Sequence, residues 1–316
     1  MRRRLVRGAC RCAAAAAVAT PLFIAQQYYT LRSAYRPLER PPRTPVDGLE
    51  DSFFSEGETR SSAVDDGGRE EESCRLVIIG DSLVCGIGSD RSGAAALCGQ
   101  VAQDIAMDRR KRVRWSSFGL DGGCAKSIRS MVPAISNDLL TREGEQRGEL
   151  IVLLIVGLND YKNVVSGPGS DEFGKNLEEL VSCINSATGQ QAKIFMPLLP
   201  FDAVPLLQKY YLAAPIVKGW IHSYEDKKRA LSHKIRNVTC CDNYTAEECA
   251  ELGRLNMWST DGVHPNLAGY KVMGSIMTRR ILMDRGKVAK RVDEEWKRLQ
   301  AEWQRWQYAA SEANTR

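Results

Sequence analysis

Leu76-Val77-Ile78-Ile79 is an unbroken apolar run closed by Gly80, and three later runs resemble it: residues 113–118, 150–156 and 193–196. Runs of four to seven residues with little polar alternation suit strands that are buried on both faces. Helix-like stretches separate them, near residues 94–107, 128–140 and 173–186, and residues 238–241 add a last short strand. Strand alternating with helix predicts an α/β fold: a parallel sheet of about five strands with helices on each face. Such sheets place their sites in the crevice beyond the carboxyl ends of the strands. The chemically distinctive residues of this chain fall there.

The rest of the chain frames that domain. Its 316 residues allow one sizeable core plus extra segments. Residues 1–36 open with arginines and continue into an apolar run at residues 13–25, the order of a signal peptide or an uncleaved signal anchor. Thirteen helical residues rise only about 20 Å, less than the roughly 30 Å hydrocarbon core of a bilayer. An arginine-rich, acid-free leader also fits a mitochondrial or plastid transit peptide. Residues 37–73 are rich in Pro, Gly, Ser and carboxylates without an apolar period, the composition of a disordered linker. The folded domain is expected at residues 74–285. Beyond it, residues 286–316 place Val288, Val292, Trp296, Leu299, Trp303 and Trp306 at steps of three or four. That is one stripe of an amphipathic helix, for docking on the domain or for a membrane surface.

The net charge of +5 owes much to the leader, because the first 38 residues hold seven arginines and no acid. No basic helix with interleaved aromatics lies in the middle of the chain, so nucleic-acid binding is not expected. Asn237-Val238-Thr239 and Asn243-Tyr244-Thr245 are glycosylation sequons and agree with a secreted or membrane-anchored glycoprotein. Eight of the ten cysteines lie beyond the leader, and Cys240, Cys241 and Cys249 are close enough in sequence to be disulfide candidates. Cys85, Cys98, Cys124 and Cys183 read equally well as buried thiols. No C-x-x-C or H-E-x-x-H spacing supports a metal site, and no cofactor is expected.

Four segments carry the chemistry. Gly80-Asp81-Ser82-Leu83 follows the first strand, so Ser82 is expected at or near a helix N-terminus with its hydroxyl toward the crevice. Taken alone, these four residues fit a plain turn or N-cap serine as well. Gly119-Leu120-Asp121-Gly122-Gly123 ends the second strand with glycines that let backbone N–H groups approach a ligand. Gly157-Leu158-Asn159-Asp160 ends the third with an asparagine able to lend its side-chain N–H to an oxyanion. Asp261-Gly262-Val263-His264-Pro265 sets an aspartate and a histidine on one short loop before a helix expected from about residue 265 to 283. The chain has three histidines, and His222 and His233 lie in helix-like stretches without such a partner.

In this order, each at a strand end, the segments resemble the SGNH (GDSL) hydrolase family, whose blocks are a GDS serine, a glycine, a G-x-N-D asparagine and a D-x-x-H pair. The resemblance covers residues 76–283 and is similar to an esterase subgroup common in bacteria with a Pro-rich segment after the fourth strand. It implies a flavodoxin-like three-layer α/β/α sandwich and a serine esterase acting on a lipid, an acetylated glycan or a small ester. It further implies Ser82 as nucleophile, His264 as base, Asp261 as its orienting acid, and an oxyanion hole from Ser82, Gly122 and Asn159. The family's usual polar residue after the glycine is absent here, since Gly123 follows Gly122. An acyltransferase or a non-catalytic lipid- or glycan-binding member of the same fold is the alternative. Residues 197–237, with Pro-Leu-Leu-Pro-Phe, Tyr210, Tyr211 and Trp220, are read either as lining an acyl pocket or as a helical cover of the sheet edge. Other folds fit less well. Val84 stands where a G-x-S-x-G elbow needs glycine, and Arg91 where a dinucleotide-binding turn needs one.

Overall fold

The structure, a computed structural model, describes residues 38, 47–50, 74–89, 96–136, 148–162, 169–208, 214–241, 244–254 and 257–283. The leader of residues 1–36, most of the expected linker, Asn243 of the second sequon and the Trp-rich tail lie outside the described residues. Among them, no helix is long and apolar enough to cross a membrane.

Five strands form the parallel sheet that the apolar runs predict. They are β2 (Cys74–Gly80), β3 (Val113–Gly119), β4 (Leu150–Ile155), β5 (Lys193–Pro197) and β6 (Val238–Cys241), and an edge strand β1 (Asp47–Glu50) pairs antiparallel with β3. The order across the sheet is β1-β3-β2-β4-β5-β6. β1 was not expected, because its four residues sit in the stretch read as linker. Their backbone groups pair with those of Val113 to Ser116, which would otherwise form the exposed edge of the sheet.

Burial on both faces explains the unbroken apolar runs. Along β2, Leu76 and Ile78 enter one core while Val77 and Ile79 enter the other; along β4, Ile151, Leu153 and Ile155 alternate with Val152 and Leu154 in the same way. Helices α1 (Ala96–Arg109) and α8 (Leu267–Met283) cover the first face. Helices α2 (Ala125–Met131), α4 (Ser170–Ala187) and α6 (Ala214–Lys234) cover the second, chiefly through Ile128, Phe173, Leu177, Val181 and Tyr224. The short α3 (Leu158–Lys162) follows β4, α5 (Pro205–Gln208) precedes α6, and α7 (Ala246–Arg254) follows β6. The result is the three-layer α/β/α arrangement.

The chain runs from β2 to β3 on one side and returns to β4 on the other, so β2 and β4 flank the point where strand order reverses. Gly80 and Ile155, at their carboxyl ends, are register partners. Side chains carried just past these two strands converge on one crevice.

The 197–237 segment is largely a packed cover. Leu198, Leu199, Ala203 and Val204 are buried, and α6 packs against α4 and β6. The same segment also lines an open space of about 430 Å³ between the Phe201–Ala203 turn, α6 and the start of α7, beside Ile221, Glu225 and Tyr244. None of the site residues predicted from sequence lines that space.

Cys74, Cys85, Cys98, Cys124, Cys183, Cys240, Cys241 and Cys249 are all free thiols. The expectation of a disulfide among Cys240, Cys241 and Cys249 is therefore not met. Cys98 is wholly buried, and loss of hydration pushes its thiol up to about 12 despite a hydrogen bond involving Ser117. That is a packing role.

Candidate active site

Ser82 leaves β2 through a run of turns and not through a helix, which corrects the helix N-terminus expected there. Asp81 makes the turn: its Oδ1 accepts from Leu83 N at 3.0 Å and its carbonyl accepts from Val84 N and Cys85 N. The serine is 2% exposed and its Oγ lies 2.9 Å from His264 Nε2.

The histidine arrives from the far end of the chain on a clamped loop. Ser259 N donates to His264 O and Asn266 N to Met257 O, each at 2.8 Å, so Trp258 and Pro265 face each other as a bridge at the base of the loop. Pro265 closes this bridge and does not start the following helix, as had been expected. α8 begins at Leu267, with Asn266 Oδ1 accepting from Gly269 N at 2.9 Å as its cap.

Inside the loop, Asp261 uses both carboxylate oxygens. Oδ2 accepts from His264 Nδ1 at 2.6 Å, while Oδ1 accepts from Ser259 Oγ at 2.7 Å and from the backbone N–H groups of Val263 and His264 at 2.9 Å each. Burial by itself would raise this carboxyl. The hydrogen bonds from His264, Ser259 and the two amides outweigh it and hold the carboxyl at about 2. An ionised Asp261 fixes the ring with Nδ1 protonated, which leaves Nε2 as the acceptor toward Ser82.

Two contacts join this loop to the Ser82 turn, and sequence reasoning missed both. Gly88 has φ +95°, and a β-carbon there would stand 2.8 Å from Pro265 O and 2.9 Å from His264 Cβ. The close approach of the two loops needs glycine at this position. Tyr270 on α8, fully buried, donates its hydroxyl to Ile87 O at 2.7 Å. The glycine had only a failed dinucleotide spacing to mark it, and the tyrosine looks like any core aromatic in a helix.

Asn159 opens α3 just past β4, 6% exposed, and its Nδ2 donates to Gly123 O at 3.0 Å. One amide N–H thus ties the β4 turn to the β3 turn, and an amide nitrogen carries a second. Of the two adjacent glycines, Gly123 directs its N–H at Leu120 O, 2.8 Å away. Gly122 has φ +71° and is exposed, with open space where a β-carbon would be. Asp160 anchors the same region from behind, its carboxylate accepting from Ala125 N at the start of α2. Burial pushes this carboxyl up, against the pull of the Ala125 amide and of Lys228.

The structure therefore brings Ser82, His264 and Asp261 into one hydrogen-bonded chain, with Asn159 and the Gly122 turn at the neighbouring strand ends. His222 and His233 stand apart on α6, both exposed, with His222 paired to Glu225 at 3.3 Å. Asn237, the sequon asparagine among the described residues, has its Nδ2 on Asn185 Oδ1 and Ala192 O at 2.7 and 2.8 Å. Among the described residues no cluster of His, Cys, Asp and Glu could hold a metal ion.

The profile of the GDSL-like lipase/acylhydrolase family matches residues 78–272, more than half of the chain. Solved structures of similar fold include a lipase from a goat rumen metagenome, 16% identical over 66% of this chain and 96% of its own, with a TM-score of 0.48. A lipase/acylhydrolase from Enterococcus faecalis is 19% identical over 66% of this chain and 95% of its own, at a TM-score of 0.46. The psychrotrophic esterase EstA of a Pseudoalteromonas species is 15% identical over 67% and 99%, at a TM-score of 0.46. No curated protein sequence matches the chain.

Proposed function

The chain belongs to the GDSL-like lipase/acylhydrolase family and is an SGNH-type carboxylic ester hydrolase, and on that premise we propose that it works through an acyl-enzyme on Ser82. The observation that carries this reading is the continuous hydrogen-bonded path from Ser82 Oγ through His264 to Asp261.

Proton transfer follows the path. As Oγ attacks the ester carbonyl, its proton passes to His264 Nε2, and Asp261 stabilises the imidazolium that forms. His264 then protonates the departing alcohol. Water attacks the Ser82 ester in the second half, again losing its proton to His264, and frees the acid. The oxyanion of each tetrahedral step is held by the N–H groups of Ser82 and Gly122 and by Asn159 Nδ2. Gly122 is preferred to Gly123 because the Gly123 N–H is already turned to Leu120 O. The substrate is an ester of a lipid, an acetylated glycan or a small alcohol.

Purified full-length protein assayed on p-nitrophenyl esters of increasing acyl length tests the reading. Ser82→Ala is expected to lower turnover by roughly five to six orders of magnitude, because nucleophile and base act as a unit. It should also abolish labelling by a fluorophosphonate probe. Near-normal hydrolysis by Ser82→Ala would remove the serine from the mechanism. Adding alcohol acceptors separates transfer from hydrolysis.

A further inference from the structure

Lys228 lies on α6 and is wholly buried, a rare state for a side chain that normally carries its charge out to water. Its Nζ donates to Pro197 O, the last residue of β5, at 3.2 Å. Its stem runs along the turn that leaves β4: a β-carbon at Gly157 would be 3.6 Å from Lys228 Cε. Lys228 therefore sits at the carboxyl end of β5, beside the turn after β4 that carries Asn159.

The charges facing it come from every element around it. Burial lowers the pKa of Lys228, and Cys240 on β6, Glu225 one turn earlier on α6 and itself paired with His222 and Arg229, Asp81 just past β2 and Asp160 on α3 oppose that shift. Asp81 immediately precedes Ser82 and Asp160 immediately follows Asn159, and both are buried. Burying an ammonium costs several kcal/mol unless opposite charge and hydrogen bonds offset it. A methionine would fill much the same volume without that cost, so packing does not explain a lysine here.

We propose that Lys228 is a positioning residue for the acyl-transfer reaction: its ammonium, held on the Pro197 carbonyl behind the Gly157–Asn159 turn, offsets the buried carboxylates beside Ser82 and Asn159 when the oxyanion forms. The proposal rests on the roles given above to Ser82 and Asn159. A neutral ester feels little of those carboxylates, whereas the negative tetrahedral intermediate is opposed by them in a medium of low dielectric. The ammonium thus acts on the chemical step and not on binding, and belongs in kcat.

The test is Lys228→Met in the full chain, alone and with Asp160→Asn, assayed on p-nitrophenyl acetate. Lys228→Met should lower kcat about 10- to 100-fold while KM stays within about twofold. Its thermal midpoint should not fall, since an apolar residue of similar volume replaces a buried ion. Adding Asp160→Asn, which removes one opposing carboxylate, should recover part of the lost kcat. The ratio of variant to wild-type kcat should also rise as pH falls and the unshielded carboxyls take up protons. Unchanged kcat would overturn the proposal, as would a collapsed fold or a loss of activity that neither Asp160→Asn nor lower pH relieves. Activity surviving in Ser82→Ala, measured alongside, would instead overturn the reading of the nucleophile.

Discussion

Asp261 shows how much one residue must do for the site to work. Its four hydrogen bonds build the loop and hold its carboxyl at about 2, below the usual range near 3.9. A carboxyl depressed on folding stabilises the folded state fully at pH values above its unfolded pKa, and the contribution is lost as pH falls through the folded value. Urea unfolding of wild type and Asp261→Asn should therefore show a stability gap at pH 5 that narrows between about pH 4 and 2. Asn159 makes a different prediction, because an oxyanion donor of the kind proposed would act only as charge develops. Asn159→Ala should lower kcat by roughly two to three orders of magnitude with little change in KM. Steady-state kinetics on one p-nitrophenyl ester decide it, and a change confined to KM would count against an oxyanion role.

At the scale of elements, the site depends on two loops from opposite ends of the domain sequence that must lie almost in contact. Gly88 allows this: its missing β-carbon is the gap into which the His264 loop fits. Gly88→Ala would push against Pro265 O, His264 Cβ and Ser259 Cβ, all on the loop that carries His264. Because a misplacement of about 1 Å can lower a rate roughly 100-fold, kcat/KM should fall by about that factor. Ser82 should still react slowly with a fluorophosphonate. A variant with wild-type kinetics would show that the loops have room to spare. The elements themselves were largely legible in the sequence. β2, β3, β4, β5 and β6 lie where the runs predicted them: β2 and β4, buried on both faces, are apolar almost throughout, whereas β3 alternates buried residues with more exposed ones. β1 was not legible, since four residues of mixed polarity become a strand only when β3 offers its edge. The helix expected at Ser82 failed for a related reason: the Asp81 side chain captures the backbone N–H of Leu83 and sets a turn.

For the whole molecule, the topology joins these parts. Reversal of strand order between β2 and β4 puts Ser82 beside Asn159, and the clamped loop before α8 brings His264 across the crevice from 182 residues away in sequence. Sequence by itself determined the layered α/β architecture and the order in which the strand ends present Ser82, Asn159, Asp261 and His264, because hydrophobic period and strand-end motifs are local properties. Which glycine N–H turns to Leu120 O, why Gly88 must lack a side chain, what Tyr270 anchors, and that Lys228 is buried against the Pro197 carbonyl were decided only by tertiary structure. Each depends on atoms far apart in the chain meeting within a few ångströms, and no local pattern of residues encodes that distance.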